Sequence, residues 1–179
     1  MKVAEGVVTA VRLSFVLAQD DDAIELAAMR STAARHLTSR FGQGHWSGEA
    51  TERGVLASMH TGSVWVARRG RTIVATFRLA TKKPWAIDRA YFTPVKVPLY
   101  LTDMAVIPSL QGHGVGRRCL QKAVDIAAAW PADAIFLDAY DAEAGAGDFY
   151  RTCGFREVGR VVYRGVPLIY FEMLISRSE

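Results

Sequence analysis

Apolar and polar residues change rhythm along this chain often enough to mark out its elements. The β-branched and aromatic content of Val11–Leu17 predicts a first strand. Asp22-Ala23-Ile24-Glu25 has the spacing of a capping box, and Leu26, Met29, Ala33 and Leu37 continue one apolar face, so a helix is expected to about residue 38. Phe41-Gly42-Gln43-Gly44-His45-Trp46-Ser47-Gly48 reads as a glycine-rich loop, and a second helix beginning at Ser47 carries Val55, Leu56 and Met59. Ser63–Arg68 and Thr72–Leu79 alternate apolar and polar residues around Arg69-Gly70-Arg71, the pattern of a β-hairpin. A polar, proline-containing stretch, Thr81–Pro98, leads into the apolar run Leu99–Val106, which Pro108 closes. Beyond it Val115, Cys119, Ala123, Ile126 and Trp130 recur at helical spacing. Ala134–Tyr140 predicts another strand, residues near Ala144–Cys153 a short helix, and Val158–Tyr163 with Leu168–Leu174 two closing strands. The order is β-αα-βββ-α-β-α-ββ, with no repeat and no low-complexity linker.

Composition narrows the class. A chain of 179 residues with half its residues hydrophobic and 22% charged is expected to fold as one globular domain, residues 1–179, with a proper core. No stretch approaches the ~18–20 continuous apolar residues of a membrane span. Met1-Lys2-Val3-Ala4-Glu5-Gly6 lacks the long apolar region of a signal peptide, so a cytoplasmic location is expected. The net charge of +4 is scattered without a basic run, which suits a polyphosphorylated ligand and gives no indication of nucleic-acid binding. Two cysteines, Cys119 and Cys153, both expected in helices, are too few for a disulfide framework. The histidines at 36, 45, 60 and 113 show no metal-ligand spacing, and no metal is expected.

The most informative segment is Gln111-Gly112-His113-Gly114-Val115-Gly116-Arg117, set between a strand and a helix. Glycines let the backbone come close to a ligand, and the first amides of the new helix have no internal partners. With the helix dipole they form an anion site. A nucleoside-triphosphate loop would need Gly-Lys followed by Ser or Thr, but Gly116 is followed by Arg117-Arg118. A dinucleotide fingerprint would need Gly-x-Gly-x-x-Gly near the start of a βαβ unit. The segment instead satisfies Gln/Arg-x-x-Gly-x-Gly/Ala and resembles the pyrophosphate loop of the GNAT superfamily of N-acetyltransferases. Tyr150-Arg151-Thr152-Cys153-Gly154-Phe155 is similar to the superfamily's Tyr-x-x-x-Gly-Phe segment, and Met104-Ala105-Val106-x-Pro108 matches in position. The likeness is specific over about residues 95–175.

That resemblance implies an α/β (α+β) fold with a mixed, largely antiparallel sheet and helices on both faces. It also implies acetyl-CoA as co-substrate, with the pantetheine arm between splayed fourth and fifth strands. Backbone amides of Met104, Ala105 and Val106 would bond the pantetheine. Gln111, Gly112, His113, Gly114, Val115, Gly116 and Arg117 would hold the pyrophosphate, and Phe149 falls beside the cofactor. Tyr150 takes the position of the general acid that protonates the leaving thiolate. Asp103, in an apolar strand approaching the crevice, is the candidate base, with Asp138 and Asp141 as rivals. Many relatives carry asparagine seven residues before the tyrosine; here Glu143 stands there, leaving Asp141 or the Ala144–Gly147 backbone to replace that contact.

Gly154 is expected to stop the helix, and Phe155 to join the core. Trp85, Phe92 and Tyr100, like His45 and Trp46, fit either an acceptor-pocket wall or satellite core. Asp88, Asp103 and Asp138 favour a cationic amine, so the acceptor is expected to be a primary amine of a small molecule or peptide. The apolar closing strands point to a homodimer. The alternatives are a non-catalytic acetyl-CoA sensor and a transferase for longer acyl groups.

Overall fold

The computed structural model describes residues 10–176; Met1–Gly6, inspected for a leader, lies outside them. Seven strands, β1 (Ser14–Leu17), β2 (Ser63–Arg69), β3 (Thr72–Ala80), β4 (Pro98–Val106), β5 (Ala134–Tyr140), β6 (Arg156–Tyr163) and β7 (Val166–Leu174), form one sheet in the order β1-β2-β3-β4-β5-β7-β6. Four α-helices interrupt them in the expected order: α1 (Ala23–Phe41), α2 (Glu52–His60), α3 (Val115–Ala129) and α4 (Gly147–Thr152). All strand pairs are antiparallel except β4 with β5.

Side chains of opposite parity cover the two faces. On β5, Ile135, Leu137 and Ala139 join Cys119, Leu120 and Ala123 of α3 and Tyr150 of α4 in the largest core. Phe136 points the other way, into a cluster with Tyr100, Tyr170, Ile87 and Phe92. That second face also receives α1 and α2, which bury Leu26, Met29 and Val55 against Val64, Val66 and Ile73.

The 81–97 segment, too polar to predict an element, is tied to β7. The Tyr170 hydroxyl accepts from the Asp88 amide at 3.1 Å and donates to the Ala86 carbonyl. The fully buried Glu172 accepts from the Thr93 amide and hydroxyl at 2.8 and 2.7 Å and is paired with Arg156.

Three local expectations change. β1 is shorter than Val11–Leu17, although Val11 and Leu13 still pack on the core. The capping box of α1 does not close: Asp22 has no capping bond into the helix. Its carboxylate accepts from the Gln19 amide and pairs with Arg68, while Glu25 accepts from the Ile73 amide at 2.7 Å. Partners in the sheet and the preceding turn outbid the local pattern. α2 starts later than Ser47 because Thr51 caps it, its hydroxyl accepting from Gly54 at 3.1 Å. Ser47 is used inside the loop instead, accepting from the Gly44 amide. Cys153 likewise falls at the end of α4 as its cap, with Gly154 at φ +90° closing the helix as expected.

β4 and β5 pair only where Pro98–Tyr100 meet Ala134–Phe136. Beyond those residues the two strands separate, leaving the gap on which the site is built. β4 also bulges: Thr76 pairs with Ala105 and Arg78 with Thr102, so Asp103 and Met104 stand opposite Phe77 alone. Asp103 carries the strain of this bulge at φ +53°, a left-handed conformation that Asp tolerates better than most residues.

Candidate active site

At the far end of the gap the chain turns through Pro108–Leu110 into the glycine loop. Gly112 and Gly114 have φ of +76° and +80°, and no atom lies within 4 Å of where a Cβ would stand on either. A left-handed backbone beside open space is what a close-approaching ligand needs. Gly114 is the N-cap of α3, so the amides of the helix's first turn face that space without carbonyl partners. Gly116 has a different reason. A Cβ there would come within 3.0 Å of Phe149, so this glycine lets α3 and α4 pack. Gln111 steadies the loop by donating to the Val106 carbonyl at 3.0 Å, and His113 turns its Nδ1 to the Gln111 carbonyl at 3.0 Å. Arg117 donates to the Thr152 carbonyl at 3.2 Å, tying α3 to the end of α4.

Tyr150 projects from α4 into the gap. Its ring is buried among Phe149, Phe155 and Phe171, with centroids 5.4, 5.7 and 5.8 Å away. Its hydroxyl lies 3.8 Å from Met104 Sδ on β4. Burial, and then the charges of Asp138 and Cys153, push the phenol far above its usual value. It is therefore a neutral O–H at any working pH. Among the described residues the partner of that proton is a weak sulfur acceptor, which leaves it available.

The three candidate carboxylates have different surroundings. Asp103 is ion-paired with Arg30 of α1 at 2.8 Å, and Asp141 with Arg160 at 3.1 Å. Asp138 makes no ion pair among the described residues, and burial raises its carboxyl above the ordinary aspartate value. It faces away from α3, on the same side of β5 as Phe136 and Tyr140, opposite Tyr170 on β7. Its charge helps to raise Tyr140, Tyr150 and Tyr170.

The α1–α2 loop closes one side of the face that carries Asp138 and Tyr140. Tyr140 donates from its hydroxyl to the His45 carbonyl at 3.0 Å, and Trp46 meets the Tyr140 ring edge-on at 6.2 Å. Beyond Trp46 lies an open cleft of about 460 Å³ lined by Arg40, Phe41, Trp46, Glu143 and Ala144. The aromatics expected either as wall or as core divide. Phe92 and Tyr100 are buried, whereas Trp85 is 82% exposed. Sequence reasoning passed over Arg30, which carries no motif. It also missed Tyr140, whose place two residues beyond Asp138 on one strand face was the available signal.

A strand, a glycine turn beside open space and a helix start, with a buried phenol nearby, form a site with room and free amides for a phosphate-bearing ligand. The acetyltransferase (GNAT) family matches residues 17–155, and the chain belongs to that family, whose acyl donor is acetyl-CoA. Similar structures include an N-acetyltransferase from Staphylococcus aureus (15% identity, 92% of this chain and 99% of that one, TM-score 0.69). The acetyltransferase yncA from Salmonella typhimurium, solved with its cofactor acetyl-CoA, is similar at 14% identity over 93% and 95% of the two chains, TM-score 0.67. The ribosomal-protein-S18-alanine N-acetyltransferase of Escherichia coli is similar at 15% identity over 94% and 97%, TM-score 0.68. No curated protein matches by sequence. Among the described residues no helix is long and apolar enough to cross a membrane, and no group of His, Cys, Asp or Glu could hold a metal ion.

Proposed function

We propose that this protein transfers the acetyl group of acetyl-CoA to the primary amine of a small-molecule or peptide acceptor, by direct attack within a ternary complex. The observation that supports this reading is that the buried Tyr150 hydroxyl lies 3.8 Å from Met104 on β4, while Asp138 stands on β5 just beyond the last β4–β5 pairing. Tyr150 comes from the α3–α4 face and Asp138 from the opposite face.

The donor fits the first face. Pyrophosphate oxygens accept from the amides of Gly112–Arg117, where the open space beside Gly112 and Gly114 supplies room. Met104, Ala105 and Val106, beyond the point where β4 leaves β5, offer backbone groups to the pantetheine amides. Phe149, packed at Gly116, forms the wall beside them.

The acceptor amine enters from the second face as an ammonium and gives its first proton to Asp138, whose raised pKa suits it to that task. The amine nitrogen then bonds to the thioester carbonyl carbon as the carbon–sulfur bond breaks. Tyr150 delivers its phenolic proton to the departing sulfur, and the second proton shed by the nitrogen restores the phenol. Asp103 is assigned a positioning role: paired with Arg30, it holds the bulge of β4 against α1. Two unpaired cysteines, Cys119 buried and Cys153 partly so, support a reducing compartment such as the cytoplasm.

The test is a thiol-release assay with acetyl-CoA and a panel of amines, alongside calorimetric titration of coenzyme A. Binding with turnover of at least one amine is the expected result. Tight binding with no amine turned over would make the protein a sensor, and failure to bind would remove the reading altogether.

A further inference from the structure

The acceptor face carries a second groove that the chemistry above does not use. It holds about 390 Å³ between the 81–97 segment and edge strand β6, and Trp85, Asp88, Tyr91, Tyr163 and Tyr170 are among its walls. Asp88 is its one carboxylate, and the remaining lining is aromatic or aliphatic. Trp85 is 82% and Val162 70% exposed, so a concentrated apolar surface is left open to water.

The groove is built by specific residues. Tyr170 at its base fastens the segment through Ala86 and Asp88. Tyr91 meets Tyr170 edge-on at 5.5 Å and lies on β6 at Gly159. A Cβ at that glycine would come within 2.4 Å of the Tyr91 ring. The absence of a side chain at 159 therefore sets where one wall stands.

Register ties the groove to the reaction. Asp138, Tyr170 and Gly159 are partners across β5, β7 and β6. With strands ~4.8 Å apart, the groove wall at Gly159 stands two strands, or roughly 10 Å, from the proposed base. An extended polypeptide advances about 3.3–3.6 Å per residue, so a chain whose terminal amine sits at Asp138 brings its third residue or so to the groove. A terminal α-amine, with pKa near 7.7–8.0, also gives up its proton to a carboxylate more readily than a lysine amine near 10.4.

We propose that this groove is a subsite for an apolar side chain of an extended peptide acceptor, about three residues from the terminal amine that is acetylated. The inference rests on the acetyl-transfer reading and adds the acceptor class to it.

The experiment measures N-acetylation of free-amine tetrapeptide amides, Ala-Ala-X-Ala and Ala-Ala-Ala-X, with X as Trp, Leu, Ala or Lys. The enzymes are wild type, Trp85→Ala and Gly159→Ala, and coenzyme A affinity is measured on each to show that the fold is intact. Wild type is expected to favour Trp and Leu over Ala by about tenfold in kcat/KM, mostly through KM, as for covering one apolar side chain. Both variants should bring that preference to within about twofold while still binding coenzyme A. Gly159→Ala does so by displacing Tyr91, whose exposed ring can move without unfolding the sheet.

Equal rates for every X overturn the proposal, as does a preference that survives in both variants. Turnover of simple alkyl or aryl amines with no peptide accepted overturns it too, as would a homodimer in sedimentation whose formation shields Trp85 from a fluorescence quencher. Loss of coenzyme A binding in wild type would remove the acetyl-transfer reading and this inference together. A result independent of X with coenzyme A still bound removes this inference alone.

Discussion

The two faces of the sheet meet at one gap but are built in opposite ways. The face proposed for the donor would draw its binding groups from one continuous strand–loop–helix junction, residues 104–117, mostly as backbone amides, and the face proposed for the acceptor is the other one. The acceptor face is gathered from far apart: Asp138 from β5, His45 and Trp46 from the α1–α2 loop, Trp85 from the 81–97 segment, and Tyr163 from β6. Amides are present whatever the side chains, so the donor face needs only correct glycines and a helix start. The acceptor face depends on side chains carried by loops, and loops are where specificity varies between proteins of one fold. The difference teaches that a donor site of this kind needs only a local backbone pattern, whereas an acceptor site needs side chains that the fold brings together.

That contrast is most sharply broken by removing the proposed acid–base pair. Asp138→Asn should lower kcat by about 10²–10⁴-fold while coenzyme A affinity stays unchanged, because the carboxylate belongs to the acceptor side. The wild-type rate should rise with pH as Asp138 loses its proton, along a limb lying above the ordinary aspartate value of 3.8. The limb should vanish in the variant. If Asp103→Asn instead removed both rate and limb, the base would be the Arg30-paired carboxylate.

Tyr150→Phe comes next, with an expected loss of about 10²-fold in kcat and an unchanged melting temperature, since the ring keeps its three aromatic neighbours. Full turnover by the Phe variant would pass proton donation to water. A smaller effect is expected for Gly114→Val. A β-branched residue at φ +80° is strained whatever the space around it, and coenzyme A should bind about tenfold more weakly or worse. Unchanged calorimetric affinity in a folded variant would move the phosphate elsewhere.

The smallest effect concerns the fold beneath the acceptor groove. Burial alone would raise Glu172, but the Thr93 amide and hydroxyl and Arg156 together hold it below its usual 4.5. A depressed carboxylate contributes stability that is fully present above its unfolded value and drains away as pH falls through the folded one. Wild type should therefore lose stability in acid below about pH 4.5, and Glu172→Gln should flatten that slope at a cost of about 1–3 kcal/mol at neutral pH. Denaturant midpoints across pH measure both.

How legible the molecule was in its sequence follows the same division. The strand–glycine–helix junction and the Tyr150–Phe155 segment are local patterns, and the order of all eleven strands and α-helices followed from periodicity. The capping box at Asp22 was misleading because Arg68, Gln19 and Ile73 compete for its carboxylates, and that competition exists only after the chain folds. Nothing in the sequence around Asp103 announced its partner Arg30, a residue 73 positions away. The 81–97 segment showed no periodicity, since its order comes from Tyr170 and Glu172 and not from its own side chains.

The bulge at Asp103 bears on how this gene can change. Leu99 and Leu101 face α3, so strict alternation would turn residue 103 toward α3 and 104 toward α1. The extra residue reverses the parity: Asp103 meets Arg30 of α1, while Met104 and Val106 pack with the α3 cluster, and Met104 reaches Tyr150. Loss of this one codon would remove the bulge and leave Leu99, Leu101, Met104 and Val106 on the α3 face by strict alternation, at the expense of the Asp103–Arg30 pair. A deletion scan should therefore find position 103 more forgiving than position 105, where losing one residue makes Met104 and Val106 adjacent and forces one of them off the α3 face.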